Sequence, residues 1–232
     1  TTIENGGFAS CTLLSSVTFT DSVISVGLSA FDNTVWFTNQ PDGLVYVGRA
    51  AYKYKGTMAP NTSITLDSDT TCITERAFYK CTGLSSVYIP NGVNEIGRLA
   101  FSGCTSLTAA YFYGNAPKTV GEKIFENCAA GFTVYYFNGK IDFTNPWYGY
   151  PTETFVILGD VNVDGNVDSI DAGIIVDFEN KSITLDKLAE ATFYAAGDAN
   201  GDLNVDSLDA GIIVDFENNM ISNNLSKLKI VE

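Results

Sequence analysis

The chain contains no histidine, which removes the commonest general base and the usual zinc ligand. Catalytic triads and histidine-based metal hydrolases are excluded with it, while a mechanism built on carboxylates alone, as in glycosidases, stays open. Basic side chains are scarce: 13 Lys and Arg stand against 27 Asp and Glu, a net charge of −14 over 232 residues. Nucleic acid is therefore not an expected partner, because phosphate binding needs a positive surface. No apolar run approaches the roughly 20 residues that a membrane span needs. The first residues carry neither the basic n-region nor the apolar stretch of an export signal, so none is expected here; that does not point to the cytoplasm. The five cysteines include no Cys-x-x-Cys, so zinc-ribbon and thioredoxin chemistry drop out.

What is present begins with a repeat. Ala77-Phe78-Tyr79-Lys80-Cys81 matches Ala100-Phe101-Ser102-Gly103-Cys104. Ile124-Phe125-Glu126-Asn127-Cys128 is a looser copy, and Gly7-Phe8-Ala9-Ser10-Cys11 has the same frame. Ala30-Phe31 follows Phe8 at the same interval that separates Phe78 from Phe101. A period in the low twenties predicts a solenoid whose units bury their apolar faces only against their neighbours. Leu84, Val87 and Ile89 suggest a short strand, Pro90-Asn91-Gly92 a turn, and the Ala-Phe-x-x-Cys block a helical turn that inserts Phe and Cys into the stack. Four cysteines share one repeat position and are expected to be buried as small hydrophobes, although stacked positions could also reach disulfide distance. Over residues 3–31 and 72–137 the pattern resembles leucine-rich repeats of the bacterial surface-antigen-like type.

Between Phe31 and Phe78 the text differs. Two β-rich runs, Leu44–Val47 and Ala50–Lys55, flank Gly48-Arg49 and predict a hairpin whose tyrosines, Tyr46, Tyr52 and Tyr54, pack across strands. Asn145–Pro151 is irregular but aromatic, and is expected to form a packed cap or linker.

The acidic residues are unevenly placed: residues 156–232 hold 15 against 4 basic ones, residues 1–155 hold 12 against 9. A charge concentrated in one segment marks a local task such as cation binding. Within it, Asp160, Asn162, Asp164, Asp168 and Asp171 occupy positions 1, 3, 5, 9 and 12 of a twelve-residue loop. Asn166 supplies a backbone carbonyl at position 7. Asp198, Asn200, Asp202, Asn204, Asp206 and Asp209 repeat the series at the same spacing. Oxygen donors so arranged wrap a Ca2+ ion, which takes 6–8 of them, so two ions are expected. Both loops end in Asp rather than the Glu of an EF-hand. In loop 2, Leu203 stands at position 6, where glycine is expected for the sharp turn, and Gly201 sits at position 4; loop 2 is therefore the expected weaker binder.

Each loop runs into the same decapeptide, Asp171–Asn180 and Asp209–Asn218. Calcium needs only the loops, so identity along the helices points to a shared core or to two equivalent binding faces. Ile170, Ile174, Asp177 and Phe178 lie on one helical face, repeated by Leu208, Ile212, Asp215 and Phe216. Ile175 and Val176 are assigned to the core. Leu185 to Ala195 reads as a connecting helix, with Thr184 as its N-cap.

Residues 157–225 thus resemble a dockerin, the module that plugs proteins into cohesins on a scaffoldin. The resemblance implies calcium-dependent cohesin binding through those two faces, in a dual mode where either helix meets the cohesin after a half-turn. The expected architecture is α+β: a β-rich leucine-rich-repeat solenoid over residues 1–155, then a small all-α dockerin with two calcium loop–helix units over residues 156–232. The expected function is a secreted, non-catalytic cellulosome component serving polysaccharide degradation, whose repeats present a surface to a second protein or glycan. The other readings are a hydrolase using scattered carboxylates (Glu75, Glu95, Glu122, Glu126) and an adhesin or protease-inhibitor module.

Overall fold

The computed structural model describes residues 1–163, 166–183, 193, 195–201, 204–218 and 228–231. The chain divides into two compact units, one comprising residues 1–135 and 140–152, the other residues 136–139 and 153–232. No described helix is long and apolar enough to cross a membrane.

The first unit is a β-solenoid. Six of its short strands mark successive coils: β1 (Thr2–Ile3), β2 (Ser25–Val26), β4 (Ala50–Lys55), β6 (Cys72–Ile73), β8 (Glu95–Ile96) and β10 (Thr119–Val120). Main-chain bonds at their starts step from coil to coil, from Ile24 N–H to Thr1, Arg49 to Val23, Thr71 to Arg49, Asn94 to Thr71 and Thr119 to Asn94. A second row of strands closes the later coils: β5 (Thr62–Thr65), β7 (Leu84–Ile89), β9 (Ala109–Phe112) and β11 (Thr133–Phe137). β5, β7 and β9 pair in parallel, with Ile64 beside Val87 and Val87 beside Ala110. Parallel pairing follows from winding in one direction, and it buries Leu84, Val87 and Ile89 as the sequence pattern requires.

The Ala-Phe-x-x-Cys block is not a helical turn. It is two successive tight turns, with Ala77 N–H bonded to Thr74 and Cys81 N–H to Phe78. Left-handed residues stand two before and two after each phenylalanine: Arg76 (φ 59°) and Lys80 (φ 60°) about Phe78, Ser29 (φ 57°) and Asn33 (φ 63°) about Phe31, Lys123 and Asn127 (both φ 58°) about Phe125. A helix cannot include these φ values, and each costs a non-glycine residue about 1 kcal/mol. Hydrogen bonds between coils hold the corner, Phe78 N–H to Ala100 at 2.8 Å and Phe101 N–H to Ile124 at 2.9 Å. The rings stack inside: Phe78 on Phe101 at 5.0 Å and Phe101 on Phe125 at 5.2 Å.

The hairpin forms, with β3 (Gly43–Val47) antiparallel to β4 and a bulge between Val45 and Tyr46. β4 also serves as the third coil, pairing in parallel with β6. A short helix, α1 (Val35–Thr38), capped by Thr34, leads towards the hairpin. Pairing with β3 keeps β4 straight through Tyr52, so the third coil turns late and Tyr54 takes the phenylalanine position, its N–H bonded to Ala77. Phe31 N–H is then met by a side chain, the Tyr52 hydroxyl, at 3.1 Å. Every buried main-chain donor needs such a partner, and here a tyrosine replaces a missing carbonyl.

At the far end of this unit, Trp147 is buried against Phe112 and Phe143, and Tyr150 meets Phe125 edge-on at 5.4 Å. The aromatic segment is a packed cap, as its composition suggests.

All five cysteines are free thiols. Cys72 and Cys104 are buried, Cys81 and Cys128 half-buried, but Cys11 is exposed, contrary to the expectation for its repeat position. The Cys104 thiol donates to the Phe78 carbonyl of the preceding coil at 3.0 Å, and the Cys128 thiol to the Phe101 carbonyl at 3.5 Å. Burial pushes Cys72 and Cys128 up to about 12 and Cys81 to about 11, and raises Cys104 as well. Alkylation of the folded chain with iodoacetamide is expected to modify Cys11 rapidly and the other four thiols only on unfolding. Peptide mapping checks this; a second thiol reacting as fast would contradict the stacking.

In the second unit, β12 (Thr152–Ile157) pairs antiparallel with β13 (Leu228–Val231). Two eleven-residue helices follow the loops, α2 (Ser169–Glu179) and α3 (Ser207–Glu217). Their inward residues Ala172, Ile175, Ala210 and Ile213 form one core with Val156, Val161, Val205, Ala196 and Phe193. Phe193 and residues 195–197 are helical. The rest of the expected connecting helix, together with Asp164, Gly165, Asp202, Leu203 and the side chain of Phe216, lies outside the described residues.

Candidate functional site

The loops and helices of the second unit are joined by shared residues. Asp168, at loop position 9, is also the N-cap of α2, and its carboxylate accepts the Ile170 N–H at 2.8 Å. Asp171, at position 12, completes a capping box by accepting the Asp168 N–H at 3.0 Å. Its other oxygen accepts Val161 and Asn162 N–H at 2.9 and 3.1 Å, which folds the loop start back over the helix start. Loop 2 repeats the design. Asp206 accepts from Leu208, and Asp209 accepts from Asp206 and Asn200, all at 2.9–3.0 Å. The positive end of each helix thus faces two carboxylates, the arrangement the helix dipole favours.

Burial sorts the expected ligands. Asp160, Asp171 and Asp209 are fully buried and Asp198 nearly so, which places positions 1 and 12 of both loops inside. Asn162, Asp168 and Asp206 are half-buried, while Asn166, Asn200 and Asn204 are exposed. Desolvation pushes the Asp171 carboxyl above its ordinary range, against the lowering by its backbone donors. Among the described residues no three acidic side chains gather around one point, and position 5 of each loop lies outside them. The donors that are described are carboxylate and amide oxygens, a hard set, and burying four carboxylates in one small unit is costly without cations. They fit Ca2+.

Leu203, on which the expectation of a weaker loop 2 rests, lies outside the described residues, but position 4 of both loops is described. Position 4 is left-handed in both loops, at Val163 (φ 62°) and Gly201 (φ 82°). Glycine adopts this freely, whereas a β-branched residue there is an outlier costing roughly 1–2 kcal/mol. Gly201 is therefore well placed, and among the described loop residues the strained one is Val163 in loop 1.

On the helices, Ile170 and Leu208 are exposed at 60% and 65%, and Asp177 is exposed too. Ile174, Phe178 and Ile212 are half-buried against the core, with Phe178 4.6 Å from Phe193. Asp215 is half-buried. Val176, assigned to the core from sequence, is instead exposed, as is Val214. The helical turn carries them away from Ile175 and Ile213, which fill the core. Both valines line a groove of about 630 Å³ between α2 and α3, together with Ala172, Gly173, Asp177 and their counterparts on α3.

Sequence reasoning missed the glycines in this groove. A β-carbon at Gly173 or Gly211 would meet nothing within 4 Å. Glycine inside a helix is worth about 0.5–1 kcal/mol less than alanine, and among the described residues no contact demands it here. The signal lies in the identical decapeptides: a poor helix former kept twice at the same place.

Of the acidic residues weighed as catalytic in the first unit, two sit in surface ion pairs: Glu75 lies 3.7 Å from Arg98, and Glu126 2.8 Å from Lys123.

A stacked solenoid and a twinned loop–helix unit with buried acidic loop ends define a repeat protein carrying a cation-loop docking module. Residues 1–131 match the BspA type leucine rich repeat region in six copies, and the chain belongs to that family. Residues 158–216 match the Dockerin type I domain. Dockerins of this type bind calcium and imply a cohesin partner in a cellulosome-type assembly, and neither matched family is catalytic. No curated protein and no solved structure matches the chain.

Proposed function

We propose that this is a secreted, non-catalytic component of a cellulosome, docked by its second unit onto a scaffoldin cohesin while its repeat solenoid presents a surface to a second protein or glycan. Residues 1–155 serve as the presenting domain and residues 156–232 as the docking domain. Two calcium ions rigidify the docking unit, held by Asp160, Asn162, Asp164, Asn166, Asp168 and Asp171 in loop 1 and by Asp198, Asn200, Asp202, Asn204, Asp206 and Asp209 in loop 2. The ion neutralises carboxylates that would otherwise repel, so calcium and folding of this unit are coupled. Cohesin contacts come from the exposed side of the helices: Ile170 and Leu208, Asp177 and Asp215, and the groove-lining valines. Ile174, Phe178 and Ile212 back that surface from the core.

The observation that carries this reading is the pair of exposed helical glycines with open space beside each. A residue that costs helix stability without serving its own fold suits the close approach of a partner's backbone. Calorimetry against a cohesin panel tests it, first with calcium and then with chelator. Binding in calcium and its loss in chelator are expected, and unchanged binding in chelator would sink the docking role. Gly173→Ala together with Gly211→Ala is expected to stabilise the unit by about 1–2 kcal/mol while weakening the cohesin complex; equal or tighter binding would remove the glycines from the interface.

A further inference from the structure

We propose that the tyrosine-bearing face of the β5–β7–β9–β11 row is a binding platform for an uncharged, extended polysaccharide lying along the solenoid axis. This rests on the reading of the solenoid as a presenting surface and names what the surface takes.

The first observation is a second aromatic ladder, on the outside. Tyr88 stacks on Tyr111 at 4.9 Å and 8°, and Tyr111 on Tyr135 at 5.0 Å and 18°. All three are half-buried, as is Tyr113, which lies within electrostatic reach of Tyr88 and Tyr111. The stack of coils does not require these rings. In the register of the sheet, the position beside Tyr88 on β5 is Thr65, so the fold accepts threonine there. The inner ladder is phenylalanine, whereas the outer one places a phenol at each rim, apolar on its body and polar at its tip. Such rings are characteristic of surfaces that bind partners.

The second observation is the absence of charge. β5, β7, β9 and β11 contain no Asp, Glu, Lys or Arg. Small uncharged residues stand in the neighbouring outward row, where Ser63 and Ser86 are hydrogen-bonded at 2.7 Å and Ala109 lies beside Ser86. The ion pairs of this unit involve other segments, at Arg49, Lys53, Glu75, Arg98 and Lys123. In a chain of net charge −14, a neutral face neither draws polycations nor recruits polyanions, so it discriminates by shape and hydroxyl chemistry.

The third is the spacing. The rungs repeat once per coil at 4.9–5.0 Å, so a ligand with one unit per coil meets each ring in the same way. A pyranose chain provides such a repeat, with alternating C–H and hydroxyl edges. An extended peptide along the same axis advances about 3.3 Å per residue and falls out of step.

Affinity electrophoresis of the full chain tests the platform in gels containing xyloglucan, galactomannan or mixed-linkage β-glucan, with polygalacturonate as the charged comparison. Retardation by a neutral glycan is expected, with Tyr111→Ser lowering affinity about ten-fold or more. Thr65→Tyr, which extends the ladder by one rung, is expected to tighten binding and reads the platform even where Tyr111→Ser fails to fold. Cohesin binding is measured on the same samples. No retardation by any neutral glycan, retardation by polygalacturonate alone, or a Thr65→Tyr chain that binds no tighter overturns the platform. With cohesin binding intact, such a result leaves the docking role standing; loss of cohesin binding in the unaltered chain strikes the wider reading instead.

Discussion

Phe101→Ala is expected to lower the stability of the repeat unit by about 3–5 kcal/mol, the usual range for a fully buried phenylalanine. The ring is fully buried and stacked on both sides, by Phe78 and Phe125. Its removal leaves a cavity that the neighbours cannot close, because main-chain bonds on either side fix the spacing between coils. In a solenoid each coil is held only by its neighbours, so the loss falls on two interfaces at once. Phe8 provides the control. It stacks on Phe31 at 5.1 Å but is 40% exposed, so Phe8→Ala is expected to cost no more than about 1–2 kcal/mol. Denaturant unfolding of both variants checks the contrast; similar losses would mean the ladder does not carry the unit.

Asp171→Ala is expected to destabilise the docking unit by roughly 3 kcal/mol even in chelator, because it strands the N–H groups of Val161, Asn162 and Asp168. Asp171→Asn separates that role from the ionic one. The amide can still accept from Val161 and Asn162, but the charge at loop position 12 is gone. It is expected to cost less in chelator and to lose most of the stabilisation that calcium gives the wild type. Thermal unfolding of the unit with and without calcium reads both variants. If Asp171→Asn responds to calcium as the wild type does, Asp171 is a helix cap and not a ligand.

Much of this is legible because the chain repeats itself. The regular recurrence of Ala-Phe blocks dictates a stack, and alternation in Leu84–Ile89 dictates which side faces in. The third coil is hidden for a definite reason: pairing with β3 delays its turn, so Tyr54 stands where the other coils have phenylalanine. The corner turns read as helical because many of their left-handed positions hold Arg, Lys, Ser or Leu, residues that do not announce such a conformation, with Asn and Gly at only some of them. In the docking unit, ligand spacing and the doubled helix are plain from sequence. The division between core and face is not: periodicity alone gives Val176 to the core, and the packing of Ile175 against Val161 and Phe193 turns it outward.

The fourth position of each loop bends the same way, through glycine in one copy and through valine in the other. Duplication usually draws notice for what it keeps identical, but here it also shows what it lets slip. The bend costs little at Gly201 and roughly 1–2 kcal/mol at Val163, and no relief reaches one loop from the other. The twin loops are thus alike in shape and unequal in strain, and Val163 marks the difference.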